Sequence, residues 1–302
     1  MTDAMGLYEV IKDSLFGKKD AKPTIAFIDT EVGVQDKKVH DIAAIVVNKQ
    51  FHSSLQPEFA QFVADAEYIC GHNIIHHDLE YLPKLEGKKN IDTLYLSPLL
   101  FPKRPYHKLL KDDKIDTEEL NNPLNDCQKA RDLFYDEVNA FEELDDNWKS
   151  VYCNLLYSQK EFCGFFDYLG IKPDDTNIDQ LIKQLCDSKI CIHSRVDLVA
   201  DKYPVELAYT LALISTGDCF SVTPPWLMRN YSNIENVIKF LCNTPCHTED
   251  CKYCNDKLDI HRGLKEIFGY EKFRLFEGEP MQEKAVQAAV DGKSLLTIFP
   301  TG

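Results

Sequence analysis

Ile25-Ala26-Phe27-Ile28-Asp29-Thr30-Glu31 sets two carboxylates at the end of an apolar run. Side chains two apart in a strand face the same way, so Asp29 and Glu31 project together, with Phe27 on their face and Ile28 on the other. Paired carboxylates at a strand end can hold a hard divalent cation. Asp-x-Glu alone is a common solvated strand edge, so the pair becomes a site only if other acidic residues join it.

Working outward, Leu7, Val10, Ile11 and Leu15 fall at helical spacing and predict a short amphipathic helix over 6–16. After the acidic pair, 41–48 reads as a buried second strand and 51–55 as its antiparallel neighbour. A helix over 57–65 and a short strand at Tyr68-Ile69-Cys70 follow. Gly71-His72-Asn73-Ile74-Ile75-His76-His77-Asp78 is then a turn in which Asp78 opens a helix through Tyr81 and Leu82. Ile91-Asp92-Thr93-Leu94 is another strand end, and a helix is expected near 107–110. Asn121-Asn122-Pro123-Leu124-Asn125-Asp126 leads into a long amphipathic helix with Ala130, Leu133, Phe134, Val138 and Phe141 on one face. This order predicts an α/β domain over 1–144 with a mixed sheet and flanking helices. A mainly helical connector over 145–241 follows, with helices at 148–169, 178–186, 204–215 and 233–241, then a cysteine-rich segment over 242–262 and a final segment over 263–302.

The 302 residues suggest about two domains. A net charge of −15 disfavours a basic, groove-covering nucleic-acid binder but not a nuclease, whose carboxylates are offset by bound cations. No apolar run approaches the ~20 residues of a membrane span and no signal peptide is evident, so the expected location is cytoplasmic, with no membrane partner. Seven of the eleven cysteines (Cys70, Cys127, Cys153, Cys163, Cys186, Cys191, Cys219) lie singly among apolar residues and read as buried free thiols of a reducing compartment.

Three constellations carry chemistry. Asp29, Glu31, Asp78 and Asp126 are four carboxylates that can hold two Mg²⁺ or Mn²⁺ ions ~3.5–4 Å apart, one generating hydroxide from water and the other stabilising the leaving oxygen of a phosphodiester. Phe27-Ile-Asp-Thr-Glu31, Gly71-His-Asn-Ile-Ile-x-His-Asp78 and Ile91-Asp-Thr-Leu-x-Leu-Ser97, with Asp126, resemble the DEDD family of 3′–5′ exonucleases over 24–143. The resemblance implies a ribonuclease-H-like fold and exonuclease activity. Members of that family usually carry a His or Tyr as general base, with four or three residues between it and the last Asp. Here those positions hold Asn121 and Asn122, and an amide takes no proton from water at neutral pH. His107 and His77 are the nearest substitutes in sequence; otherwise the site binds metal and strand but cuts slowly.

The second constellation is Cys242-x₃-Cys246-x₄-Cys251-x₂-Cys254, which suits a structural tetrahedral Zn²⁺ in a loop without a core of its own. His247 is the substitute for Cys242, and an iron–sulfur cluster is the alternative to zinc. The third is Phe268-Gly-Tyr-x-x-Phe-Arg274 with Gln282 and an apolar strand over 295–299, which resembles the start of a RecQ-like superfamily-two DNA helicase. That resemblance implies that Tyr270, Arg274 and Gln282 hold the adenine of ATP, although 275–279 lengthens the spacing to Gln282. No phosphate loop follows, and Gly292-Lys293-Ser294 precedes the strand, so ATP is expected to serve only a longer exonuclease–helicase polypeptide. The expected activity is metal-dependent 3′–5′ exonuclease action on DNA, at a single strand or 3′ end. A nuclease-fold module that only binds a 3′ end and an RNA-trimming exonuclease are the alternatives.

Overall fold

The computed structural model describes residues 23–82, 85, 88–109, 122–217, 223–246, 248–291 and 293–298. The helix expected over 6–16, and Asn121, His247 and Cys219, lie outside the described residues. The chain divides into two compact units, each discontinuous in sequence. The first is Met1–Leu94, Lys108–Asp136 and Glu161–Gly170; the second is Tyr95–His107, Glu137–Lys160 and Ile171–Gly302.

The first unit is built on a mixed five-stranded sheet: β1 (Ile25–Val32), β2 (Val39–Val46), β3 (Lys49–Ser53), β4 (Tyr68–Gly71) and β5 (Lys89–Asp92) in the order β3-β2-β1-β4-β5. β1 runs antiparallel to β2 and parallel to β4, which puts the acidic strand at the centre. The two faces follow the period of two. Ala26, Ile28, Ile42, Ala44 and Ile69 pack with Phe59 and Val63 on one side, Phe59 coming from helix α1 (Gln56–Phe62). On the other side the Phe27 ring meets Phe134 at 5.7 Å and Tyr135 at 6.0 Å, and Phe134 meets Tyr168 at 5.1 Å. Phe134 and Tyr135 belong to the long helix Pro123–Glu142, whose part up to Asp136 lies in this unit.

Two short helices complete the described frame of the unit: α2 (Asp78–Tyr81) and the helix Cys163–Leu169. The sequence predicts one helix over 148–169. The structure has Asp146–Leu156 and Cys163–Leu169 instead, separated by turns, and the second of these belongs to the first unit. Gly164 explains the placement, because a Cβ there would lie 2.0 Å from the carbonyl oxygen of Asn90 on β5. The helix therefore sits directly on the strand backbone, where only glycine fits.

The second unit is helical, with Asp146–Leu156, Ile178–Leu185, Val196–Lys202, Pro204–Ser215, Pro225–Asn230, Ile234–Cys242, Lys252–Lys257, Ile260–Phe268 and Met281–Val290. Its core is centred on Pro204–Ser215, nine of whose residues from Val205 to Ile214 are buried; within it Tyr209 donates to the Tyr95 carbonyl at 2.8 Å. The helix expected near 107–110 is absent over the described residues 101–109. Of the strand expected over 295–299, the described residues 295–298 form none: they pair with no described strand, and a strand exists only through its neighbour. Among the described residues no helix is long and apolar enough to cross a membrane.

Candidate metal centres

At the end of β1, Asp29 and Glu31 are half-buried side by side, and Asp126 joins them so that one oxygen of each lies within 4.8 Å of the others. The register is set by packing. Phe134 packs against Phe27 with its ring tilted by 56°, and the eight residues back to Asp126 span ~12 Å of helix, while Phe27 to Glu31 spans ~13 Å of strand. Helix and strand thus reach the same place. Asn122 caps the helix by accepting the Leu124 N–H at 3.0 Å, which leaves Asp126 in the first turn, where the helix dipole favours a carboxylate.

Asp78 is held differently. It is 2 % exposed, and its Oδ1 accepts both the Thr30 N–H at 2.8 Å and the Thr30 hydroxyl at 2.6 Å. It is not one of the three residues that share ligand distance. Its charge still reaches the same place: burial first, and then the fields of Asp29, Asp78 and Asp126, push the Cys127 thiol well above its ordinary value. The structure therefore groups three of the four predicted carboxylates and ties the fourth to β1 through Thr30.

The turn before Asp78 explains its own sequence. A Cβ on Gly71 would lie 2.4 Å from Ile74 Cγ2 and 2.6 Å from the Ile28 carbonyl oxygen, so β4 ends on glycine. Asn73 is left-handed at φ 67°, which Asn tolerates. Asp92 fixes the loop: its Oδ1 accepts the Asn73 N–H at 2.7 Å and the Leu94 N–H at 3.1 Å, and its Oδ2 accepts the Ile75 N–H at 3.0 Å. Burial raises the Asp92 carboxyl to about 6 against these three donors. Sequence reading assigned Asp92 no role, because the turn it holds lies 19 residues away at Asn73 and meets it only in the fold.

The candidate bases divide. His77 lies in the acidic unit with its Nδ1 3.6 Å from Asp78 Oδ2, and the Asp78 carboxylate raises its pKa, with smaller contributions from Glu80 and Glu31. His107 belongs to the second unit and is 5 % exposed, with its Nδ1 2.9 Å from Ser97 Oγ. Burial, and then Arg104, lower its pKa to about 4, so it is neutral at pH 7 and offers no nitrogen to solvent. Asn122, as the helix cap, is committed to a structural bond.

The cysteine site differs from the sequence expectation. Cys191, His193, Cys246 and Cys251 bring one ligand atom each within 4.8 Å of one another. Cys191 Sγ and Cys251 Sγ are 3.8 Å apart, and Cys246 Sγ and His193 Nδ1 are 3.5 Å apart. Cys254 packs against Cys191 and Cys251, which makes a cluster of four cysteines and one histidine. Cys242 is outside the group: it is the last residue of the helix Ile234–Cys242, buried on that helix's apolar stripe. Its carbonyl accepts the Tyr253 hydroxyl at 2.8 Å. Cys191, predicted to be an isolated thiol, is the residue that joins the cluster from outside.

Tyr270, Arg274 and Gln282 line one cavity of about 810 Å³, with Phe268, Phe273 and Leu295 among its walls. The lengthened spacing to Gln282 is taken up by a tight turn. Phe276 and Glu279 exchange two backbone hydrogen bonds of 2.8 Å, and Glu277 and Gly278 both have positive φ.

Comparison with family models, curated proteins and solved structures finds no match to this chain.

Proposed function

We propose that the first unit is a divalent-metal-dependent 3′–5′ exonuclease of the DEDD type acting on DNA, joined to the opening of a RecQ-like helicase motor. The observation that carries this reading is the convergence of Asp29, Glu31 and Asp126 within 4.8 Å, with Asp78 tied to β1 through Thr30. Two oxygens on opposite sides of one Mg²⁺ stand ~4.2 Å apart, so these hard donors fit a shared Mg²⁺ or Mn²⁺ after small rotamer changes. A mixed sheet with β1 at its centre agrees with a ribonuclease-H-like architecture. The cavity shared by Tyr270, Arg274 and Gln282 agrees with an adenine site that a phosphate loop would complete.

Bound divalent cations supply Lewis acidity for the phosphodiester and its attacking water. The chain's residues do the remainder. Asp29, Glu31 and Asp126 position the cations, and Asp78, kept in one orientation by two Thr30 donors, adds negative charge without competing for them. His77 stands beside Asp78, whose carboxylate raises its pKa. With Asn122 used as a cap, no positioned base is evident among the described residues. A positioned base is typically worth ~10²–10⁴ in rate, so turnover is slow at neutral pH, rises with pH, and is faster with Mn²⁺ than with Mg²⁺.

The test is digestion of 5′-labelled and 3′-labelled single-stranded DNA and RNA with and without Mn²⁺. The expected result is a ladder from the 5′-labelled DNA and release of mononucleotide from the 3′ label, both lost in Asp29→Ala. Metal-independent cleavage, or equal activity in Asp29→Ala, overturns the reading. The commitment of Asn122 to the cap favours one second reading, a module that binds a 3′ end without cutting it. Mn²⁺-dependent retention of uncut 3′-hydroxyl oligonucleotide would select that reading.

A further inference from the structure

We propose that Cys191, His193, Cys246 and Cys251 together hold one tetrahedral zinc ion, which clamps the segment before the helix Val196–Lys202 to the loop after the helix Ile234–Cys242. Zinc–thiolate bonds of ~2.3 Å at the tetrahedral angle put two sulfurs ~3.8 Å apart, and a thiolate and an imidazole nitrogen ~3.6 Å apart. The structure has 3.8 Å between Cys191 Sγ and Cys251 Sγ and 3.5 Å between Cys246 Sγ and His193 Nδ1. Two opposite edges of the tetrahedron are therefore present, and all four ligand atoms lie within 4.8 Å of one another. Thiolates around an iron–sulfur cube stand on separate irons and are spread wider than sulfurs sharing one ion. The 3.8 Å edge therefore points to a single ion.

The surroundings make the same point. Residues 243–246 and 248–251 carry no helix or strand. The buried cluster beside them is Cys191, Cys251 and Cys254, with Cys246, Tyr253 and Leu258 packed against it and no aliphatic centre of its own. Such a loop lacks the apolar burial that would order it, and a bound ion supplies the missing cross-link. The backbone already presents the ligands. Cys191 N–H donates to the Leu241 carbonyl at 3.1 Å, the Ser194 N–H to the Cys191 carbonyl at 3.0 Å, and the Cys251 N–H to the Thr248 carbonyl at 3.1 Å. Cys-x-His therefore turns both side chains to one side, against Cys246 and Cys251 from a stretch sixty residues away in sequence from Cys191. Cys254 packs against Cys191 and Cys251 as a neighbouring thiol and is not a ligand in this assignment.

The experiment is elemental analysis of the purified whole chain, followed by Co²⁺ substitution and the ligand-field and thiolate charge-transfer spectrum. The expected result is about one zinc per chain, and a tetrahedral Co²⁺ spectrum with three thiolates and one nitrogen. Cys191→Ser and His193→Ala are each expected to weaken zinc by tenfold or more. Cys242→Ser and Cys254→Ser should keep the full content and the same Co²⁺ spectrum. Because Cys191→Ser can fail to fold, His193→Ala, with its exposed ring, and the two retaining variants decide the matter alone. A metal-free chain, iron with acid-labile sulfide, a four-thiolate Co²⁺ spectrum, or zinc lost in Cys242→Ser or Cys254→Ser while His193→Ala keeps it, overturns the assignment.

Discussion

Thr30→Val tests whether Asp78 is held in place from β1. The substitution keeps the shape of the side chain and deletes one donor, the hydroxyl that reaches Asp78 Oδ1 at 2.6 Å; the Thr30 N–H at 2.8 Å remains. Thr30 is 5 % exposed and Asp78 2 %, so water replaces the lost donor poorly. A hydrogen bond to a charged group contributes ~1.5–3 kcal/mol, and about 2 kcal/mol is expected here, a downward shift of about 6 °C for a unit of this size. Trp148 and Trp226 both belong to the second unit, so tryptophan fluorescence would not report the change. Hydrogen exchange of peptides over 25–32 and 68–82 would. Exchange there should accelerate about thirtyfold where it proceeds by opening of the unit, as 2 kcal/mol requires. Mn²⁺ affinity should fall about tenfold, the usual effect of removing an outer partner of a metal site. Thr30→Ser, which keeps the hydroxyl, should bind Mn²⁺ as wild type does. Wild-type exchange together with wild-type Mn²⁺ affinity in Thr30→Val would refute the positioning role.

Further outcomes concern the buried titratable groups and one glycine. Asp92 has a folded pKa near 6 against an ordinary 3.8, so the folded state holds the proton longer and stability falls as pH rises from about 4 to 6. The full effect is about 3 kcal/mol, seen as a carboxyl titrating near 6 by NMR and as a slope removed in Asp92→Asn. His107 runs the other way: its folded pKa near 4 lies below the ordinary 6.5, so the second unit gains stability as pH rises from about 4 to 6.5 and loses it on acidification. Its ring resonances should stay neutral down to about pH 4, and a ring titrating near 6.5 would contradict its burial. Gly164→Ala forces a methyl to within 2.0 Å of the Asn90 carbonyl oxygen, and the helix or β5 must move. A loss of roughly 1–3 kcal/mol is expected, visible as faster exchange over 89–92; an unchanged melt would show that the helix does not sit on the strand.

How much of this was legible depended on whether neighbours in space were also neighbours in pattern. The sheet was legible because Ile25 to Glu31 and Ile42 to Val46 alternate with period two or are apolar throughout, and the observed strands fall within two residues of those expected. The break between Leu156 and Cys163 was not legible. Tyr157-Ser-Gln-Lys-Glu-Phe162 contains neither proline nor glycine, so no local residue stops the helix. The reason lies in the approach of Gly164 to Asn90, a contact from a distant part of the chain. Over 295–298 the expected strand is missing for the complementary reason: the apolar run has no partner among the described residues to complete a ladder.

The two metal centres separate the same way. Asp29 and Glu31 declare themselves through the strand period, and Asp126 through its place in the first turn of a helix whose apolar face carries Phe134 to Phe27. Each is fixed by a local rule plus one packing contact. For the cysteines the local rule misled. Cys242 stands four residues before Cys246, a spacing that suits ligands, but it also stands four residues after Ile238 and eight after Ile234, on the stripe that Leu241 shares. A residue on a buried helical stripe is claimed by the core before any ion can recruit it. That stripe was readable in the sequence and argued for removing Cys242 from the ligand set. Removing it leaves a cysteine-rich loop in need of ligands from elsewhere, and Cys191-Ile-His193, with two metal-ligating residue types on alternate positions of a turn, is where they should have been sought.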